Sequence, residues 1–158
     1  MIKHLGFLFI FTALYAHEST YLFPDHHSRF VHEITQAFKN SSSILIVTPS
    51  YHHSHLSKGF LSATKHASTL KLIVQDPRND PLSLIQYRNT ELYISRVTLT
   101  QSTILVDDVL VCTGSAPIDE AIFSSKSAPM RCSDNPEKII AIRHALQPVI
   151  QSSKAYLE

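Results

Sequence analysis

The chain has 158 residues and a net charge of +1, from 14 Lys and Arg against 13 Asp and Glu. The cations gather on no one element, which argues against a surface built to grip a nucleic-acid backbone. The three glycines, Gly6, Gly59 and Gly114, lie too far apart for a Gly-rich phosphate loop.

Residues 1–16, MIKHLGFLFIFTALYA, read as a secretory signal. Lys3 gives the positive start, Leu5 to Tyr15 the apolar run, and Ala16 the small residue before a cut. The run is too short for a bilayer, which needs about 20 apolar residues. An uncleaved anchor is the alternative. Cleavage leaves residues 17–158, enough for one domain and too few for two. No later segment is long enough to span a membrane, so the expected location is the periplasm or outside the cell.

Tyr21 to Phe23 reads as a first strand stopped by Pro24. Asp25 is placed to cap a helix to about Asn40, with Phe30, Ile34 and Phe38 as its apolar face. Ile44 to Val47 is a continuous apolar run, the pattern of a strand buried on both faces. A helix from about Ser54 to Ala67 and a strand from Leu70 to Val74 follow. Strand, helix and strand at this spacing make a parallel βαβ unit. After the turn-rich DPRNDP loop come a short helix, Leu82 to Tyr87, and a strand, Leu92 to Val97.

Thr103 to Val106 and Val109 to Thr113 form a hairpin around Asp107 and Asp108. Ile118 to Phe123 is weakly helical, and Ala128 to Cys132 is a short strand. The last helix has Asn135 as cap, Pro136 at its first position and Glu137 in its first turn. Its face is Ile139, Ile142, Leu146 and Ile150, and Pro148 is expected to kink or fray its end.

The hairpin and its flanks, TQSTILVDDVLVCTGSAP from Thr100 to Pro117, resemble the core motif of the phospholipase D superfamily. That motif runs His-x-Lys, four residues, Asp, then Gly-Ser and, two residues on, Asn. Asp107, Gly114 and Ser115 match it. Thr100 stands at the His position, Ser102 at the Lys position and Pro117 at the Asn position. A later Asn-x-Glu pair is replaced by Lys126 and Ala128. The element order resembles the single-motif, exported nuclease branch, with Pro49-Ser50-Tyr51-His52 at a turn and LKLIVQD closing on Asp76.

The resemblance implies a single α/β domain, a phospholipase D-like mixed sheet flanked by helices. It also implies what is missing. In the family the His attacks phosphorus, Lys and Asn hold the phosphate oxygens, and two motifs meet from two subunits. An imidazole suits that work because it is both nucleophile and proton shuttle near neutral pH. Growing charge on the oxygens needs fixed donors and cations. Thr100 lacks a base, Ser102 lacks charge, and Pro117 lacks any N–H. No His-x-Lys occurs anywhere in the chain, so no shift of register restores the site. Asp107 then reads as a hairpin turn residue and Ser115 as a cap or turn hydroxyl. Neighbouring strands in the family also bring the positions of Cys112 and Cys132 close. A disulfide is therefore the expectation, with two buried thiols as the alternative.

Tyr51-His52-His53-Ser54-His55 places three imidazoles within four residues. His52, His53 and His55 are the candidate ligands for zinc, nickel or copper. A solvated surface turn is the simpler reading. His26, His27 and His32 add ligands only if the first helix packs on this turn. His27-Ser28-Arg29, the nearest imitation of the lost motif, reads as surface.

The sequence thus points to a catalytically degenerate phospholipase D-like protein that binds or pairs. No cofactor, metal or catalytic residue is expected. The partner is a second copy or an active homologue. Nucleic acid and phospholipid enter only as substrates of the rival reading, a phosphodiesterase or endonuclease using residues outside the motif. A His-rich periplasmic metal-binding module is the other rival.

Overall fold

A computed structural model describes residues 16–65, 68–78 and 80–157. The signal segment thus lies outside the described residues, apart from Ala16.

The strands are β1 (Glu18–Leu22), β2 (Ser43–His52), β3 (Thr69–Asp76), β4 (Thr90–Ile94), β5 (Ser102–Val106), β6 (Leu110–Gly114), β7 (Ile118–Asp119), β8 (Pro129–Ser133) and β9 (Lys154–Ala155). The helices are α1 (His27–Lys39), α2 (Ser54–Thr64), α3 (Asp80–Leu84), α4 (Glu120–Ser125) and α5 (Pro136–Ser152). Among the described residues they form one mixed sheet, ordered β1-β8-β6-β5-β2-β3-β4-β9, with β7 on the end of β2.

β2 is central because both of its faces are apolar. Ile44 and Ile46 point into one core, with Phe30, Ile34, Phe38 and Phe60. Leu45 and Val47 point the other way, toward Ile139 and Leu146 of α5. The first four helices cover one face and α5 the other, which gives a three-layer sandwich. β2 and β3 are parallel, as a βαβ crossover through α2 requires. β5 and β6 pair antiparallel in the expected hairpin, from Ser102 opposite Gly114 to Val106 opposite Leu110.

Cys112 and Cys132 lie opposite each other on β6 and β8 and are joined by a disulfide. The bridge closes a separation of 20 residues. A loop of that size loses about 3 kcal/mol of denatured-state freedom.

Several local expectations are corrected. Asp25 does not cap α1; the cap position is His26, with no side-chain hydrogen bond. Pro49 to His52 is not a turn but the end of β2, whose outer half pairs only with short β7 and the end of β3. Pro49 is tolerated there because the ladder to β5 has already ended at Val47. The segment from Ile118 begins as strand β7 and becomes helix only at Glu120. Pro148 does not fray α5, which runs on to Ser152 and is closed by Ser153 N–H to the Val149 carbonyl. The sequence reading has no counterpart for β9, which pairs antiparallel with β4.

Among the described residues, no helix is long and apolar enough to cross a membrane.

Candidate functional site

Two places at the C-terminal end of β2 compete for attention: the surroundings of Ser102 and the histidine turn.

Ser102 has 0% of its surface exposed. Its hydroxyl lies 2.6 Å from the Ala116 carbonyl and 2.8 Å from Thr48 Oγ1. Thr48 Oγ1 in turn donates to the Ser50 carbonyl at 2.9 Å and accepts the Ile118 N–H at 3.1 Å. The two hydroxyl protons are shared among three contacts, two to carbonyls and one between the hydroxyls, so they cannot fill all three at once. All of these groups are neutral. The network holds the Ala116–Ile118 segment down over Ser102.

Thr100 and Ser115 are exposed on the rim of a shallow depression of about 280 Å³. Arg131 is the cation in its lining, on β8 opposite Thr113. Gly114 is there for space: a Cβ would stand 2.9 Å from the Pro129 carbonyl oxygen. Pro117 is half-buried, and buried Ala128 uses its carbonyl to accept the Phe23 N–H at 3.1 Å.

Asp107 sits at the far end of β5 from Ser102. Its φ of 47° lies in the left-handed region, where Asp is better tolerated than most side chains. One carboxylate oxygen accepts the Ser43 N–H at 2.7 Å, and both accept the Ser42 N–H at 3.1 Å. The Asp107 carbonyl takes a 2.7 Å bond from Arg143 on α5. This residue fastens the hairpin turn to the start of β2 and to the opposite helix layer.

The histidine turn is more ordered than a solvated loop. His53 has no exposed surface and forms the N-cap of α2, its Nδ1 facing the Leu56 N–H at 3.4 Å. Its own N–H donates to Asp80 at 2.8 Å. α1 does pack on this turn, since Gly59 lets α2 approach α1 closely. A Cβ there would lie 2.7 Å from the Thr35 methyl. His27 is consequently not free surface: it is half-buried, with its Nε2 3.0 Å from His53 Nε2. Below both rings lies Phe123, stacked on Phe23 at 4.0 Å between centroids.

The three turn histidines part company. His52 turns to Asp80, 3.2 Å from Nδ1, on the α3 side. His55 turns to Glu120, 2.9 Å from Nδ1. The other Glu120 oxygen accepts the N–H and the hydroxyl of Ser54, at 3.1 and 2.7 Å. His53, His55 and Glu120 offer donor atoms that all lie within 4.8 Å of one another. His26 and His32 add nothing to this group.

Burial holds the His53 imidazole down at about 4 and lowers that of His27. The Ser54 hydrogen bonds hold the Glu120 carboxyl at about 2. At neutral pH the cluster is thus two uncharged imidazoles beside an ionised carboxylate. It opens onto a cleft of about 700 Å³ between α1 and α2, which His32, Lys39, Lys58 and Ser124 also line.

The sequence shows His53 and His55, and names His27 on the condition that α1 packs there. Glu120 is missed. It stands 65 residues from His55, and only the pairing of β7 with Tyr51 and His52 brings it close. No local spacing carries that signal.

No family model matches the chain, and no curated protein sequence matches it. Solved structures do. The chain is similar to NucT from Helicobacter pylori, at a TM-score of 0.79 and 16% identity, over 89% of this chain and 99% of that one. It is similar to a phospholipase D family member, Nuc from Salmonella typhimurium, at 0.73 and 18%, over 89% and 98%. An archaeal chromatin protein, TrmBL2, matches at 0.65 and 10% over 87% of this chain and 54% of its own. At these identities the likeness establishes the fold: a phospholipase D-like α/β domain.

Proposed function

We propose that this chain is an exported protein of the phospholipase D fold that has lost the family's reaction and works by binding or pairing. One observation carries the reading. Where the fold's chemistry needs a cationic donor, Ser102 is sealed from solvent and bonded only to neutral groups. The residues that match the motif have structural work instead: Asp107 holds the turn, and Gly114 leaves room for β8. Export is supported by the N-terminal apolar run and by a disulfide that suits an oxidising compartment. The partner in this reading is a second copy or an active protein of the same fold, met through the surface the family uses to bring two motifs together.

A rival reading has its own support. His27, His53 and His55 converge at the same end of the sheet as the motif. They offer a nucleophile or base from outside it.

Turnover separates the two. Purified protein is incubated with single-stranded DNA, duplex DNA and phospholipid, with chelator and with zinc. The expected result is no product above buffer under any condition. Product that disappears in His55→Ala but persists in Ser102→Ala would replace our reading with the rival one.

A further inference from the structure

We infer that His27, His53, His55 and Glu120 form a binding site for one zinc-class divalent transition-metal ion, clamping α1, α2 and α4 together. This goes beyond the reading of the motif and does not depend on it.

The geometry is already close to a coordination shell. Zinc binds nitrogen at about 2.0–2.1 Å, so the edges of its tetrahedron are about 3.3 Å. The Nε2 atoms of His27 and His53 are 3.0 Å apart, and His55 Nδ1 and Glu120 Oε1 are 2.9 Å apart. Each pair is about as far apart as one edge of such a tetrahedron. The second pair is tied to His53 by donor atoms within 4.8 Å. His53, His55 and Glu120 form the compact part of the shell, and His27 completes it by turning with His53 toward the other pair.

The chemistry of the donors selects the ion. Three imidazoles and one carboxylate suit zinc, cobalt, nickel or copper, whereas calcium and magnesium demand oxygen shells. Supporting contacts are present as well. Ser54 holds one oxygen of Glu120 and leaves the other aimed at His55. Ser124 Oγ lies 3.5 Å from His27 Nδ1, ready to take the proton that must sit there when Nε2 binds a metal.

One contact opposes the ion. Metal on His53 Nε2 places the remaining ring proton on Nδ1, which now faces the Leu56 N–H. That contact is already long at 3.4 Å, and the ring must turn away from it. The site therefore exchanges a weak helix cap for a metal bond.

The assignment differs from a linear histidine motif, since His52 is committed to Asp80 and takes no part. That difference makes it testable. The full chain is stripped with chelator and titrated with zinc chloride by calorimetry, and cobalt is used as a spectroscopic probe. The expected result is one zinc per chain with a dissociation constant below about 1 μM. Cobalt should give the intense visible bands of a four-coordinate nitrogen and oxygen site. Zinc should raise the unfolding temperature, since it binds only the assembled helices. His55→Ala and Glu120→Gln should each weaken zinc at least about 30-fold while His52→Ala leaves it unchanged. Circular dichroism confirms that these variants are folded. Because His55 and Glu120 are partly exposed, they stay informative even if His53→Ala fails to fold. The inference is overturned if wild type binds zinc no more tightly than His55→Ala and Glu120→Gln. It is equally overturned if His52→Ala is as damaging as His55→Ala, which would assign the ion to the exposed loop.

Discussion

Ser102→Lys should destabilise the protein by about 4 kcal/mol, measured by urea unfolding with the disulfide intact. In a working phospholipase D site this substitution would restore a phosphate-binding cation. Here it would force a long charged chain into a position with no exposed surface. It would also remove the hydroxyl that bonds Thr48 and the Ala116 carbonyl, which leaves the carbonyl unpaired. The loop from Ala116 to Ile118 would have to lift, and its N–H bond to Thr48 would go with it. Ser102→Ala, which only removes the hydroxyl, should lose about 1–2 kcal/mol. A Ser102→Lys protein as stable as wild type would mean that the position opens onto the cleft, and the argument for a sealed site would fail.

The second large effect is at the one acidic residue of the motif. Asp107→Ala should lose about 3 kcal/mol, with no consequence for any phosphodiester turnover. Two parts add up to this. The carboxylate accepts the N–H groups of Ser42 and Ser43, which would otherwise turn to water and release the hairpin turn from the start of β2. The backbone at φ 47° is also strained for alanine. Asp107→Gly separates the parts, because it loses the acceptor and relieves the strain; it should be milder than alanine by about 1 kcal/mol. Asp107→Asn should be milder still, as it keeps an acceptor oxygen and tolerates the conformation. Equal effects from all three variants would contradict the assignment.

Much of the fold was legible because it rests on short-range patterns. Phe30, Ile34 and Phe38 mark α1 by period, and ILIV marks β2 by continuous apolarity. The Asn135-Pro136-Glu137 start of α5 is read from capping chemistry alone, and Asn135 does accept from the Glu137 and Lys138 amides. The misses have equally physical causes. Asp25 looked like a cap, yet the chain enters α1 through His26, whose ring instead accepts the Leu22 N–H. Two-residue strands such as β7 and β9 have no period to detect, and they exist only because a neighbouring strand offers unpaired groups.

The candidate site divides in the same way. The Thr100–Pro117 stretch could be read residue by residue through its resemblance, which asks at each position for a chemistry that Thr100, Ser102 and Pro117 lack. The histidine cluster could not. His27 looked like surface on a helix, and Glu120 looked like part of a weak one. Their convergence on His53 depends on the α1–α2 approach at Gly59 and on β7 pairing, both tertiary facts.

The central claim is that the Thr100–Pro117 stretch is scaffold and not a phosphate site. Amide NMR of the uniformly labelled chain, titrated with inorganic phosphate and with vanadate under chelator, tests it most directly. The expected result is no saturable shift at the amides of Thr100, Ser102, Gly114 or Ser115 up to millimolar anion, since among the described residues that depression is lined by one cation, Arg131. Saturable shifts at those amides, with vanadate tighter than phosphate, would contradict it and show a live phosphoryl site.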